Sequence, residues 1–259
     1  LGDHNFTALA GYTRYDEIFS GMSGSVKQYV NGDAIPNDPR FWYLNVYPFG
    51  DPTTRFANSD QWDRANASYF GRLLYNYDGK YILNASYRRD GSSDLNKWQN
   101  FWTLGAAWDV TKEAFMEDQK IFDQFKVKGS YGSLGNQFTS IHYPTYPNYT
   151  TGSTAVFGET LVPAYILAYR NNPNLKWETV TSYEGGIEFT SLNNRLKVEA
   201  NYFNKNTDDL LTFVNLGSEK FYTNAGKIEN KGFEFAVNYR KTFGDWFVNV
   251  GVNGSALRN

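Results

Sequence analysis

Between Ala67 and Ser93 the chain changes character at every residue. Tyr69, Gly71, Leu73, Tyr75 and Tyr77 take one parity, with Arg72 and Asn76 on the other. Successive side chains of a strand point to opposite faces. The segment therefore carries a face of rings and small or aliphatic groups opposite a polar one. Asp78-Gly79 supplies the two φ > 0 positions of a tight type I′ hairpin turn. On the return, Tyr81, Leu83, Ala85 and Tyr87 alternate with Asn84, Ser86 and Arg88. A helical period does not reproduce this order.

The pattern recurs along the chain. Trp102, Leu104, Ala106 and Trp108 alternate with Thr103 and Gly105, and Tyr183, Gly185, Ile187 and Phe189 with Glu184, Gly186 and Glu188. Leu196, Val198, Ala200 and Tyr202 alternate with Lys197, Glu199 and Asn201, Phe233 to Tyr239 with Glu234 and Asn238, and Trp246 to Val252 with Asn249. With strands near 6–13 and 126–131, about nine strands of barrel-wall length are predicted. Tight turns at 78–79, 191–194 and 243–245 alternate with long links at 14–65, 90–99, 133–174 and 206–226. A longer link at 110–124 falls on the short-turn side, with a helical turn expected in 112–119. Short turns at one rim and long loops at the other characterise outer-membrane barrels, whose long loops lie outside the cell. Sandwiches have no reason to sort loops in this way. The charges on the polar face, Lys126/Lys128, Glu184/Glu188 and Lys197/Glu199, suit a wet lumen.

Aromatic residues make up 18 % of the 259 positions, with 20 Tyr, 20 Phe and 7 Trp. These types favour strands, and Tyr and Trp also favour membrane–water interfaces. The alternative fitting this composition is a soluble all-β carbohydrate-binding or glycan-hydrolase domain. A formal net charge of −2 gives no pull toward nucleic acid. There is no cysteine for a disulfide or thiolate site, and His4 and His142 alone offer little for zinc or base catalysis. Enzyme signatures such as Gly-x-Ser-x-Gly, the P-loop and His-Glu-x-x-His are absent. Glu184 and Glu188, four apart on a strand, would stand about 13 Å apart, too far for a glycosidase pair. No catalytic residue, cofactor or metal ligand is predicted.

The chain resembles the SusC/RagA-type TonB-dependent outer-membrane transporters of Bacteroidota. The resemblance rests on ordered segments: Ser68-Tyr69-Phe70-Gly71-Arg72-Leu73, Asp78-Gly79-Lys80-Tyr81, Tyr87-Arg88-Arg89-Asp90-Gly91-Ser92-Ser93 and Gly105-Ala106-Ala107-Trp108 with Glu113-Ala114-Phe115-Met116. Lys128-Gly129-Ser130-Tyr131-Gly132, Gly135-Asn136-Gln137 and Asn172-Pro173-Asn174-Leu175-Lys176-Trp177-Glu178 follow. Asn201-Tyr202-Phe203, Lys205 to Leu211 and Asn224 to Glu234 complete the set. It implies an antiparallel transmembrane β-barrel segment, about nine strands from the C-terminal half of a plugged barrel of about 22. Residues 1–259 are then expected to be part of one TonB-dependent receptor β-barrel domain, with the plug domain and terminal strands lying outside the sequence.

The implied activity is import of oligosaccharides or peptides across the outer membrane, with this chain as wall and extracellular loops. The implied partners are outer-membrane lipid, a SusD-like surface lipoprotein, the TonB complex acting through the plug region, and the substrate itself. Loops of this length are uncommon unless they bind or cap something, and aromatic rings on loops can stack on sugar faces. Trp42, Tyr43 and Tyr47 in the first long link are candidates for substrate or lid contact. Tyr143, Tyr146, Tyr149, Phe157, Tyr165 and Tyr169 in the third link are the others.

Overall fold

A computed structural model of the chain describes residues 2–258 apart from 96, 138, 140 and 218, with the backbone alone at Thr151. Its strands are β1 (His4–Ser25), β2 (Phe56–Tyr77), β3 (Tyr81–Ser92), β4 (Lys97–Asp109), β5 (Phe122–Asn136), β6 (Asn148–Phe157) and β7 (Thr160–Tyr169). They continue with β8 (Glu178–Ser191), β9 (Leu196–Asp208), β10 (Leu211–Leu216), β11 (Glu219–Asn224), β12 (Ile228–Phe243) and β13 (Trp246–Arg258). One 9-stranded sheet runs in the order β1-β2-β3-β4-β5-β8-β9-β12-β13, and β6–β7 and β10–β11 pair as separate two-stranded sheets. The chain divides into two compact units, Leu1–Tyr15 with Asn66–Asn259, and Asp16–Ala65.

In the first unit the register assigns the faces. Directly opposed residues of an antiparallel pair share a face. Leu73 opposes Ala85, which opposes Leu104, then Tyr131 and Tyr183. Leu83 opposes Ala106, and Ile187 leads through Ala200 to Phe235. Val198 opposes Val237, and Tyr239 opposes Val250. Leu73, Leu83, Leu104, Ile187, Val198, Val237 and Val250 therefore share one surface. No second sheet covers it among the described residues. Leu104 is 54 % exposed and Val250 57 %, whereas the buried side chains Leu95, Phe101, Leu175 and Trp177 cluster elsewhere. Burying a Leu or Phe fully is worth about 1.5–3 kcal/mol. Leaving a whole face half-exposed to water would cost on the order of the net stability of a domain. An apolar solvent removes that cost, so the sandwich alternative fails and a lipid-facing wall stands.

The short-turn rim agrees with its sequence. Asp78 and Gly79 adopt φ 48 and 60, and Gly244 φ 57. Leu192, Asn193 and Asn194 are all left-handed, at φ 60, 57 and 57. The 110–121 link holds short 3-10 turns at Val110–Lys112 and Ala114–Met116. Glu113 clasps the neighbouring hairpin from there: its Oε2 lies 2.6 Å from Lys80 Nζ, and its Oε1 accepts from Tyr81 Oη at 2.8 Å and Trp108 Nε1 at 2.9 Å.

Several expected boundaries of the long links move. The first strand runs to Ser25 instead of ending near 13, and β2 begins at Phe56, so the first long link shrinks to 26–55. The 90–99 link contracts to 93–96, and the third and fourth links each enclose a hairpin of their own. The hydrophobic core of the first unit lies among its own long links rather than beneath its sheet. It comprises Leu95, Phe101, Tyr169, Leu175, Trp177 and Tyr222.

The second unit contains parts of β1 and β2 and the folded 26–55 link. Asp38 caps the 3-10 turn Pro39–Phe41 by accepting from Arg40 N–H at 2.9 Å, and Asp51 caps Pro52–Thr54 through Thr53 N–H at 2.9 Å. Val46 is buried beside Gly50, where a Cβ would stand 2.9 Å from Val46 Cγ1.

Candidate functional site

The face opposite the lipid surface is a polar wall. Lys128 on β5 reaches across β8 to Glu199 on β9, with Nζ 2.5 Å from Oε1. It passes over Gly186, which stands in register between Lys128 and Asn201. A Cβ at Gly186 would overlap Asn201 Oδ1 and lie 2.7 Å from the Ala200 carbonyl oxygen, so the missing side chain gives Asn201 its place on the wall. Glu188 faces Glu199 directly across the pair, an arrangement that repels unless each carboxylate has a cation. Lys197 supplies the second one at 2.9 Å from Glu188. Lys205 lies 3.6 Å from Glu184. A hollow of about 400 Å³ opens among Asn84, Gly105, Lys128, Gly186, Glu199 and Lys205. Such half-exposed pairs are each worth about 0–1 kcal/mol. They make the wall wettable and sign-balanced.

Above the wall, the segment Asn172 to Glu178 staples the outer loops together. Asn172 Nδ2 donates to Thr223 Oγ1 at 3.1 Å, and Trp177 Nε1 donates to the Lys97 carbonyl at 3.3 Å. Glu178 accepts from Leu211 N–H at 2.9 Å and from Asn136 Nδ2 at 2.7 Å. Asn224 Oδ1 accepts from Lys176 N–H at 2.8 Å, while its Nδ2 donates to the carbonyls of Lys176 at 2.9 Å and Asp209 at 2.7 Å. Asp94 accepts from Tyr143 N–H at 3.3 Å and lies 3.6 Å from His142. The bases of both inserted hairpins are thereby fixed to the strand ends.

The ring residues expected to meet substrate or lid divide by position. Tyr149, Phe157 and Tyr165 stand exposed on the β6–β7 hairpin, and Tyr146 is exposed just before it. Tyr143 is half-buried, its ring 6.4 Å from that of Tyr146. Tyr169 is buried in the core, 5.7 Å from Phe213 and 6.3 Å from Tyr222, and burial pushes its phenol pKa up. It packs the loops and presents no surface. Trp42, Tyr43 and Tyr47 are exposed in the second unit.

A wall with one lipid face and one charged face, short turns at one rim and stapled loops at the other is the architecture expected of a large outer-membrane barrel. The family model described as "TonB dependent receptor-like, beta-barrel" matches residues 2–258. The chain belongs to this family. It is 34 % identical to TonB-dependent receptor P26 of Formosa agariphila over 91 % of this chain and 24 % of that protein. It is 31 % identical to TonB-dependent receptor SusC of Bacteroides thetaiotaomicron, over 66 % of this chain and 18 % of that protein. The chain thus spans about a quarter of the length of the first of these curated relatives.

Among solved structures, the RagAB peptide importer in its closed-closed state superposes with a TM-score of 0.80 at 21 % identity, covering 99 % of this chain and 28 % of that chain. The Escherichia coli outer-membrane transporter YddB gives 0.59 at 11 % identity, with 99 % and 31 % covered. These likenesses show the fold. As a TonB-dependent receptor barrel segment, the chain resides in the outer membrane.

Sequence reasoning missed the stapling roles of Asp94, Leu95 and Tyr222 in this TonB-dependent receptor segment, and read Asn224 as a family marker only. Asn172-Pro173-Asn174-Leu175-Lys176-Trp177-Glu178 was legible as a family marker, but its role was not. A Trp and a Leu amid Asn, Pro and Lys in a loop are a packing signal, since loops seldom spend large apolar side chains on solvent.

Proposed function

We propose that the chain forms part of the wall and outer loops of an energy-coupled importer of oligosaccharides or peptides. Residues 1–259 are read as part of a single barrel domain whose plug and remaining strands lie elsewhere in the protein. A SusD-like lipoprotein would sit over the stapled loop rim, and the TonB complex would act through the plug. Membership of the TonB-dependent receptor family carries the proposal. The two-faced wall supports it, because a charged lumen lets hydrated cargo pass while the outer face stays in lipid. The exposed rings Trp42, Tyr43, Tyr47, Tyr146, Tyr149, Phe157 and Tyr165, with half-buried Tyr143, are the proposed contacts for substrate or lid. Tyr169 would hold their hairpin in place. The wall binds and conducts, and no bond is made or broken on it.

The test is uptake by cells carrying the full-length protein, supplied with fluorescent oligosaccharides and, separately, fluorescent peptides. One of the two should accumulate in the periplasm, and accumulation should stop when either this gene or TonB is deleted. Uptake that persists without TonB overturns the proposal.

A further inference from the structure

Within the second unit, alternate residues of β1 and β2 gather a group of rings and charges that no loop reading predicts. Phe19 and Trp62 stack with centroids 5.3 Å apart and planes at 17°. Arg64 Nε donates to Glu17 Oε2 at 2.6 Å, and its guanidinium carbon lies 5.7 Å from the Trp62 ring centroid. Asp60 completes the group beside Gly21. A Cβ on Gly21 would stand 2.8 Å from Asp60 Oδ1 and 3.1 Å from the Phe19 ring. Glycine there lets a carboxylate and a ring edge close into the space a side chain would take.

Cross-strand pairing alone accounts for part of this arrangement. An aromatic pair and an ion pair across a hairpin are each worth about 0.2–1 kcal/mol. Pairing alone leaves one feature without a purpose. Phe19 remains 44 % exposed in a stacked pair flanked by the Glu17 and Asp60 carboxylates.

We infer that Phe19 and Trp62, with Glu17, Asp60 and Arg64, form a binding subsite for a neutral pyranose unit of an oligosaccharide. A pyranose has one face of C–H groups, which a ring covers, and a rim of hydroxyls that both donate and accept. Glu17 and Asp60 accept from such hydroxyls, and Arg64 donates to them. Two carboxylates against one guanidinium leave the group net negative, which repels uronate or sulfated sugars. The inference rests on the import proposal and narrows its substrate class to neutral saccharides.

Calorimetric titration of the full-length protein in detergent tests it. The probes are neutral hexasaccharides of glucose, mannose, galactose and xylose, a sulfated galactan hexasaccharide and a tryptic peptide pool. At least one neutral hexasaccharide should bind. Phe19→Ala and Trp62→Ala should each weaken it about tenfold, the scale of one lost aromatic contact. Gly21→Val, which displaces the Asp60 carboxylate and the Phe19 ring edge without removing either, should weaken it as well. Native electrophoretic mobility before heating identifies variants that still fold. The subsite is refuted if no neutral hexasaccharide binds, if folded Phe19→Ala and Trp62→Ala variants bind as the wild type does, or if they lose only peptide binding. TonB-dependent uptake that survives in the Phe19→Ala strain removes the subsite and leaves the import proposal standing.

Discussion

Glu113 shows how one carboxylate secures a rim. The hydrogen-bonded Lys80 ammonium, followed by the Tyr81 hydroxyl, holds its pKa below the usual carboxylate range. A lowered folded-state pKa contributes stability above the unfolded value of about 4.3 and loses it as pH falls through the folded value. Thermal unfolding in detergent should therefore show a steeper drop in melting temperature below about pH 4 for the wild type than for Glu113→Gln. At pH 7 the variant should melt lower. Equal profiles would mean that the clasp contributes nothing. Leu192 has the opposite character: it is exposed, at φ 60, where a Cβ costs about 1–2 kcal/mol. Leu192→Gly removes that strain against a smaller entropic loss. Denaturant unfolding should register a gain of about 0.5–1 kcal/mol.

At the level of elements, the strands were legible where one face is apolar and illegible where neither is. From Asp16 to Ser25 the alternation sets Glu17 and Gly21 against Asp16 and Ser20, so both faces are mixed and no amphipathic signal arises. β1 and β2 have 22 residues each, about twice what spans a bilayer. Water outside the membrane imposes no alternation on the remainder. The nine candidate rings were found by type alone, and type does not separate exposed Tyr165 from buried Tyr169. That difference depends on Phe213 and Tyr222, more than forty residues away in sequence. The stapled core invites a direct test. Leu175 is fully buried, and Leu175→Ala should cost about 2–5 kcal/mol locally. Hydrogen exchange should speed up in 141–177 and 211–224 and stay unchanged in β3 and β4. Acceleration spread evenly over the sheet would contradict a separate loop core.

For the whole molecule, the solvent on each side of the wall decides what a substitution costs. Leu104 and Ser130 lie near mid-strand on opposite faces of the paired strands β4 and β5. Leu104→Arg places a charge in hydrocarbon and should cost about 2–4 kcal/mol. Ser130→Arg enters the wet side and should fold into vesicles nearly as well as the wild type. Similar folding yields for both would argue against a lipid-facing surface. Fold class and facing are legible in the sequence because a two-solvent environment writes itself into every second residue. The staple and the Phe19–Trp62 group were not, since they join residues by tertiary contact alone.

The bonds around Asn224 and Asn172 also bear on evolution under attack. Surface loops of bacteria are what phages and antibodies meet. Here the far ends of the β6–β7 and β10–β11 hairpins hang from a socket that is bonded independently of them. Lengthening a tip costs only slowly growing loop entropy, so the exposed ends can be rewritten without loosening the wall. The socket separates the part of the protein that an adversary reads from the part that must stay in register.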